Sequence, residues 1–159
     1  MTDETTESLL PPSKRAARRI VQRAFVLTGR DRRFRQHIRE VRLTTLWILE
    51  DWDMVWTVII DRGRLEFDRR PVKHPDLVFN WRTASDFFTS ASDDHRGAAL
   101  VAGLGQSLGR PVHGDTQSAL TLSGNLELRR VASNLLQCFL GNLGHVLRNP
   151  VDGVGESLL

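Results

Sequence analysis

The sequence predicts an α+β fold in which helices cover a five-stranded, mainly antiparallel sheet. Three observations predict it: apolar runs separated by turn residues between positions 41 and 68, an alternating segment near position 120, and amphipathic helical patterns towards both ends. Strands grouped in one part of a chain, with helices around them, are typical of helices packed on an antiparallel sheet. At 159 residues the chain is expected to form one domain with a real core.

The first element is a basic amphipathic helix in "KRAARRIVQRAFVLT". We expect residues 1–13 to form a flexible tail, Ser13 to cap the helix and Gly29 to end it. Apolar residues recur at helical spacing along one side. The other side collects the basic side chains Lys14, Arg15, Arg18, Arg19 and Arg23.

An Arg-rich connection, residues 30–35, leads to three strand-like segments, "VRLTTLWILE", "VWTVIID" and "RLEFD". The turn residues "DWDM" and Arg62-Gly63 separate them, which predicts an antiparallel meander. Pro75 opens a fourth strand over residues 76–81. The alternation of leucine with polar residues from Leu120 to Leu128 predicts a fifth strand with one solvated face.

Two further helices follow from capping residues and apolar spacing. Thr83, with Asp86 in the first turn, begins a helix that carries Phe87 and Phe88. Residues 129–148 carry an apolar stripe wide enough to cover a sheet. A helical piece is also expected at residues 94–108. The predicted domain therefore spans residues 14–149, and residues 150–159 are expected to be a second flexible tail.

The predicted sheet has apolar residues on both faces. In "VWTVII" one alternating set holds Val55 and Ile59, and the other holds Trp56, Val58 and Ile60. Antiparallel sheets with a free face usually place polar residues there. We therefore expect the N-terminal helix, a partner chain such as a second copy in a homodimer, or a bound apolar ligand to cover the second face.

The positive charge is concentrated near the N-terminus. Residues 14–42 hold one lysine and ten arginines against Asp31 and Glu40. This face is either merely solvated or contacts an anionic membrane through Arg15, Arg18, Arg19 and Arg23. Nucleic acid is not an expected partner, because no reading element or interleaved aromatic residue accompanies the basic residues.

Few residues suggest catalytic, metal or cofactor chemistry. Cys138 is the only cysteine, and the five histidines lack metal-binding spacing, so we expect no metal site. "GLGQSLG" resembles a dinucleotide loop in spacing only, since no βαβ unit precedes it and Gly109, Pro111 and Gly114 interrupt the helix that should follow. We expect no cofactor. The acidic N-terminus is unlike a signal peptide and no apolar run would span a membrane, so the expected location is cytoplasmic.

Three segments resemble successive motifs of the sterol carrier protein family of non-specific lipid-transfer domains, over about residues 40–147. They are "WTVIIDRGRLEF", "PDLVFNWRTASDFF" and "LTLSGNLELRRVASNLL". The resemblance implies an apolar tunnel for a sterol, acyl chain or isoprenoid, no catalytic residues, and a role like that of bacterial biosynthesis accessory proteins. By position it implies that Asp76 initiates a strand, that Phe87 and Phe88 face the cavity, and that Gly124 precedes the last helix.

The predicted function is therefore to bind and carry an apolar small molecule. The predicted ligand-binding walls, for which ordinary core packing is the alternative, are Leu46, Trp56, Phe79, Trp81, Phe87, Phe88, Leu136, Phe139 and Leu140. One alternative is a cofactor-free cyclase or isomerase that uses the same cavity for a polyketide- or terpenoid-like substrate. Its candidate residues are Asp53, Asp76, Asn80, Arg82, His113 and Asp115. The other alternative is a structural subunit that docks through the second sheet face.

Overall fold

The computed structural model describes residues 11, 13–92 and 120–149. Within these ranges the helices are α1 (Lys14–Arg30), α2 (Arg32–His37), α3 (Ala84–Ser92) and α4 (Arg129–Arg148). The strands are β1 (Arg42–Leu49), β2 (Met54–Asp61), β3 (Arg64–Asp68), β4 (Leu77–Trp81) and β5 (Leu120–Gly124). The predicted α+β class is confirmed. The expected helical piece at 94–108, the C-terminal tail and nearly all of the N-terminal tail lie outside the described residues.

The five strands form one sheet in the order β3-β2-β1-β4-β5. The pairs β1–β2, β2–β3 and β4–β5 are antiparallel, which confirms the meander and the mainly antiparallel sheet. β4 instead pairs in parallel with β1. The chain therefore crosses from the β3 edge to the other side of β1 before β4 begins.

The prediction that the fifth strand continues to Leu128 is wrong. The strand ends at Gly124, and Leu126–Leu128 form a 3-10 turn. Gly124 has a φ of 109°, and a Cβ at this position would collide with the carbonyl of Asp76. The Asp76 carbonyl also accepts a hydrogen bond from the Asn125 backbone at 2.7 Å. The positive φ turns the chain out of the strand, and glycine tolerates both this conformation and the close approach to another backbone.

The Arg-rich connection contains an element that the sequence analysis missed. α2 begins after Asp31, whose carboxylate accepts hydrogen bonds from the backbone of Arg33 and Phe34. Phe34 is buried. The other helix boundaries agree closely with the prediction: Ser13 Oγ accepts from the Ala16 backbone at 3.1 Å, although α1 runs one residue beyond Gly29.

The inner face of the sheet carries the core, and α1 and α4 cover it. Phe25 of α1 contacts Trp47 of β1 with ring centroids 5.5 Å apart, and Phe139 of α4 at 4.6 Å. Asn142 of α4 donates to the hydroxyl of the buried Thr28 at 3.1 Å and so ties the two helices together. α3 also packs against α4.

α1 runs antiparallel to β3 along one edge of this inner face. Phe25 lies 5.6 Å from Phe67. One helical turn later, Gly29 approaches Leu65, which comes two residues before Phe67 in β3. The interpretation that the N-terminal helix covers the second face is therefore wrong. The outer face keeps an apolar and partly exposed surface: Leu46, Ile48, Val55 and Val78 are half-buried, and Ile59 is 38% exposed.

Candidate functional site

An aromatic layer lies between the inner sheet face and the helices, and most of the predicted wall residues belong to it. Their side chains are between 0 and 5% exposed. The members are Trp56, Phe79, Trp81, Phe87, Phe88, Leu136, Phe139 and Leu140. The predicted alternation of β2 and β4, and the apolar stripe of α4, direct these side chains towards one another.

The strand-to-helix corner between β4 and α3 joins the layer to α4. Trp81 contacts Phe87 edge-on at 4.9 Å, and Phe87 lies 5.8 Å from Phe139. Thr83 Oγ1 accepts from the Asp86 backbone at 2.9 Å and so caps the helix that carries Phe87 and Phe88. These rings are in direct contact. The tunnel stays a prediction.

Leu46 is separated from the other predicted walls. It pairs in register with Thr57 and Val78, and these three residues lie on the outer face. Sequence reasoning instead missed Trp47, which is buried in the centre of the layer and stacks on Phe79 at 4.3 Å. The alternation that places Trp56 inside could have identified Trp47, because the two residues are cross-strand partners.

Two buried donors in this layer lack an acceptor. The indole nitrogen of Trp47 donates to Thr45 Oγ1 at 2.9 Å, and the Thr45 hydroxyl donates to the Val58 carbonyl. Trp56 Nε1 and Trp81 Nε1 are equally buried, yet neither has a hydrogen-bond partner in the part of the chain that the structure describes. Such atoms are uncommon, and each costs about 1–3 kcal/mol when it is left unpaired. These two N–H groups are therefore hydrogen-bond donors for which the described residues of the layer supply no acceptor.

A pocket of ≈ 300 Å³ opens beside Trp56. Arg18 of α1, Asp53 of the β1–β2 turn and Arg69 after β3 line it together with residues 54–56. β3 ends opposite Thr57, so in the described part of the sheet β2 has no partner strand on this side over residues 54–56. The pocket thus places two cationic side chains near one of the unpaired indoles.

The candidate catalytic residues in the described ranges do not converge. The Asp76 carboxylate accepts from the Thr44 backbone at 2.8 Å, at the end of the sheet where β1 and β4 begin. Asp53 lies in the turn after β1, at the opposite end. Asp76 therefore organises a strand start, as the resemblance implied for it.

The other candidates are also dispersed. Asn80 lies on the outer face with a buried, unpaired Oδ1, and Arg82 is exposed beyond β4. His113 and Asp115 lie outside the described residues. In the ranges that the structure describes, no group of three His, Cys, Asp or Glu residues could hold a metal ion. No helix among them is long and apolar enough to span a membrane.

Cys138 is held as a neutral thiol. Burial, followed by the nearby negative charge of Asp31, raises the pKa of this thiol from 9.0 to about 12. Because thiolates are the reactive form of cysteine, Cys138 is not a nucleophile at neutral pH.

Comparison with known proteins gives a structural match only. No protein-family profile and no curated protein matches the sequence. Among solved structures, the fold matches with probability 1.00 a protein described as a UbiJ-SCP2 ubiquinone synthesis protein. SCP2 is the sterol carrier family that the sequence motifs resemble. The TM-score is 0.48 at 9% sequence identity, and the match covers 76% of this chain and 95% of that chain. This likeness concerns the fold alone.

Proposed function

We propose that this protein binds a mostly apolar small molecule that carries an oxygen acceptor, and that it holds this ligand in the aromatic layer. The observation that carries the proposal is the pair of unpaired indole N–H groups, on Trp56 and Trp81, inside an otherwise apolar site. An oxygen atom of a ligand would accept from either group and remove the cost of burying it unpaired. The aromatic and aliphatic walls supply the apolar contact area.

The positions of the two indoles describe the length of the ligand. β1 lies between β2 and β4, and Met54 and Trp81 share a register through Leu49. Trp56 is therefore two strands and two residues away from Trp81, roughly 12 Å between Cα atoms on strand geometry. An elongated ligand with oxygens at both ends satisfies both indoles, whereas a ligand with one oxygen satisfies one.

Apolar burial supplies most of the expected affinity. About ten buried methylenes would contribute on the order of 8 kcal/mol before the costs of association are subtracted. Part of that gain is used to separate rings such as Phe87 and Phe139, which are in contact here. Such a ligand needs few polar contacts, so two indole donors are sufficient to orient it.

We further propose that α1 brings the carrier to an anionic membrane through Arg15, Arg18, Arg19 and Arg23. Arg18 supports this proposal, because it belongs both to the basic side of α1 and to the pocket beside Trp56. A ligand leaving the layer at this pocket would meet the same cationic surface that attracts anionic headgroups.

Native mass spectrometry of protein purified without detergent, followed by organic extraction, tests the ligand. We expect an oxygen-containing apolar molecule at one copy per chain. Trp56→Phe and Trp81→Phe should each weaken its binding about 3- to 10-fold, since each removes one donor and keeps an aromatic ring. Trp47→Phe is the matched control, because the Trp47 donor is already bonded to Thr45.

Two results would count against the proposal. One is a protein that purifies empty and binds no sterol, fatty acid or isoprenoid quinone in titrations followed by tryptophan fluorescence. The other is an equal loss of affinity in Trp47→Phe, which would show that packing, and not donation from Trp56 or Trp81, decides binding. A stable dimer without ligand would instead favour docking through the outer face.

A further inference from the structure

Four arginines surround a second pocket, of ≈ 380 Å³, at the end of the sheet where β1 begins. Gln36 and Gly63 complete its lining. We propose that this pocket binds a phosphoryl group with at least two negative charges, such as a phosphate monoester or a diphosphate. The four arginines, called the arginine pocket below, are Arg32, Arg35, Arg39 and Arg62.

α2 carries Arg32 and Arg35, and the turn that follows the helix carries Arg39. Arg32 and Arg35 are three residues apart and so share one face of α2, and Arg39 lines the same pocket from the turn. Phe34 and Ile38 are buried and hold the opposite face against the core. The orientation of the arginine face is therefore determined by core packing.

The β2–β3 hairpin contributes the fourth arginine. Arg62 has a φ of 48° and Gly63 a φ of 89°, and the Arg62 backbone donates to the Val41 carbonyl at 2.8 Å. This turn favours asparagine, aspartate or glycine at the position of Arg62, and a larger side chain there costs roughly 1 kcal/mol. The strained position brings the Arg62 side chain to the residues of α2.

Among the described residues, none that lines the arginine pocket is a carboxylate. Asp61 is adjacent to Arg62 in sequence, but it pairs with Arg42 at 3.4 Å. Within the described ranges, none of the four arginines of the pocket has an ion-pair partner. Four neighbouring cations repel one another, and a bound anion relieves this repulsion.

The four positive charges of the arginine pocket favour an anion with more than one negative charge. A carboxylate carries one negative charge and would leave most of the four guanidinium charges uncompensated. A phosphate monoester carries about two charges at neutral pH and offers three acceptor oxygens, which match the planar donor pairs of arginine. The volume of the pocket also accommodates a diphosphate.

This site does not depend on the proposed apolar ligand. It lies at the β2–β3 turn, whereas the pocket beside Trp56 lies at the other end of β2. The phosphoryl group belongs either to a soluble metabolite or to a lipid headgroup, because the side chains recognise only the chemistry that these sources share.

Isothermal titration of the full chain with pyrophosphate and with inorganic phosphate tests the proposal. We expect pyrophosphate to bind more tightly than phosphate, and the affinity to fall as ionic strength rises from about 50 to about 500 mM. Arg35→Gln with Arg39→Gln should weaken pyrophosphate binding about tenfold or more. Arg15→Gln with Arg19→Gln, which removes the same charge from α1, should change it less than about threefold.

A vesicle experiment identifies the source of the phosphoryl group. Vesicles that contain phosphatidic acid should bind the chain in a manner that pyrophosphate displaces if the source is a headgroup. Pyrophosphate binding without such competition assigns a soluble source. Both outcomes agree with the site.

Three results would overturn the proposal. The first is the absence of binding to both pyrophosphate and these vesicles by a chain that is folded by circular dichroism. The second is an equal loss of affinity in the α1 control pair, which would show diffuse attraction. The third is a single-stranded oligonucleotide that binds more tightly than pyrophosphate and loses binding in the Arg35 and Arg39 variant, which would assign the surface to nucleic acid.

Discussion

At the scale of single residues, the surroundings of Cys138 make its thiol harder to ionise than an ordinary cysteine thiol. The thiol lies on α4 near the cap residue Asp31, and Asn142 Nδ2 donates to the Cys138 carbonyl at 3.0 Å. Burial and the charge of Asp31 raise its pKa to about 12. The sequence shows a lone cysteine, but it does not show that the start of α2 approaches α4.

This raised pKa predicts a loss of stability at alkaline pH. Between about pH 9 and pH 12 the unfolded thiol is ionised while the folded thiol keeps its proton, so the folded state weakens as pH rises. Because Cys138 is only half-buried, we expect a loss of about 1 kcal/mol between pH 8 and pH 10. Urea denaturation of the wild type and of Cys138→Ala across this range measures it.

The wild type and Cys138→Ala can be compared between pH 8 and pH 10 because few other groups titrate in this range. The chain has no tyrosine and only the lysines Lys14 and Lys73. The Cys138→Ala curve should be flatter than that of the wild type. Parallel curves for the two proteins would show that the thiol pKa is not raised.

At the scale of elements, α4 contains two glycines in contrasting surroundings. A Cβ at Gly144 would collide with the carbonyl of Ala91 at the end of α3, whereas a Cβ at Gly141 would meet no atom of the described residues within 4 Å. The absence of a side chain at Gly144 therefore allows α3 and α4 to approach closely. The helical pattern of the sequence treats the two glycines alike.

We expect opposite effects when the two glycines are replaced by alanine. Gly141→Ala should stabilise the protein by about 0.5–1 kcal/mol, since alanine has the higher helix propensity. Gly144→Ala should destabilise it by about 1–3 kcal/mol, because α3 must move away from α4. Calorimetry should resolve the difference as melting temperatures at least about 3 °C apart. Stabilisation by both substitutions would contradict the close packing of α3.

α2 illustrates which elements a sequence pattern does not reveal. A helix of six residues is too short to form from propensity alone. It exists because Asp31 caps it and because Phe34 and Ile38 are buried by the rest of the fold. The arginine pocket follows from the same tertiary contacts, since Arg62 reaches it from a different element.

At the scale of the whole molecule, the positive charge is distributed along one edge. α1 runs beside β3, with the Arg18 pocket near its start and the arginine pocket beyond its end. The basic region identified in the sequence therefore contributes to two pockets at opposite ends of β2.

Liposome co-sedimentation tests membrane contact by this edge. Replacement of Arg15, Arg18, Arg19 and Arg23 by glutamine should reduce binding to anionic liposomes about tenfold or more, since each cation near such a surface contributes about 1 kcal/mol. A control with the same charge change replaces the exposed residues Lys73, Arg82, Arg130 and Arg148, which lie outside α1 and β3, by glutamine. Unaltered binding of the first variant, or equal losses in both, would reject contact through α1.

The sequence by itself determined the elements whose signals are local. Ser13 and Thr83 cap helices as predicted, Arg62-Gly63 forms the hairpin turn, and the inward alternation of Trp56 and Trp81 is observed. Each signal depends on neighbours within a few residues, because side-chain direction and cap bonds are local properties.

Only the tertiary structure decided which surfaces meet. The parallel pairing of β4 with β1, the position of Leu46 on the outer face and the unpaired donors of Trp56 and Trp81 all depend on residues distant in sequence. The alternation of side chains along a strand predicts two faces, but long-range packing decides which face the helices cover. For the same reason, a list of aromatic residues became a site with defined hydrogen-bond donors only when the strands were placed in register.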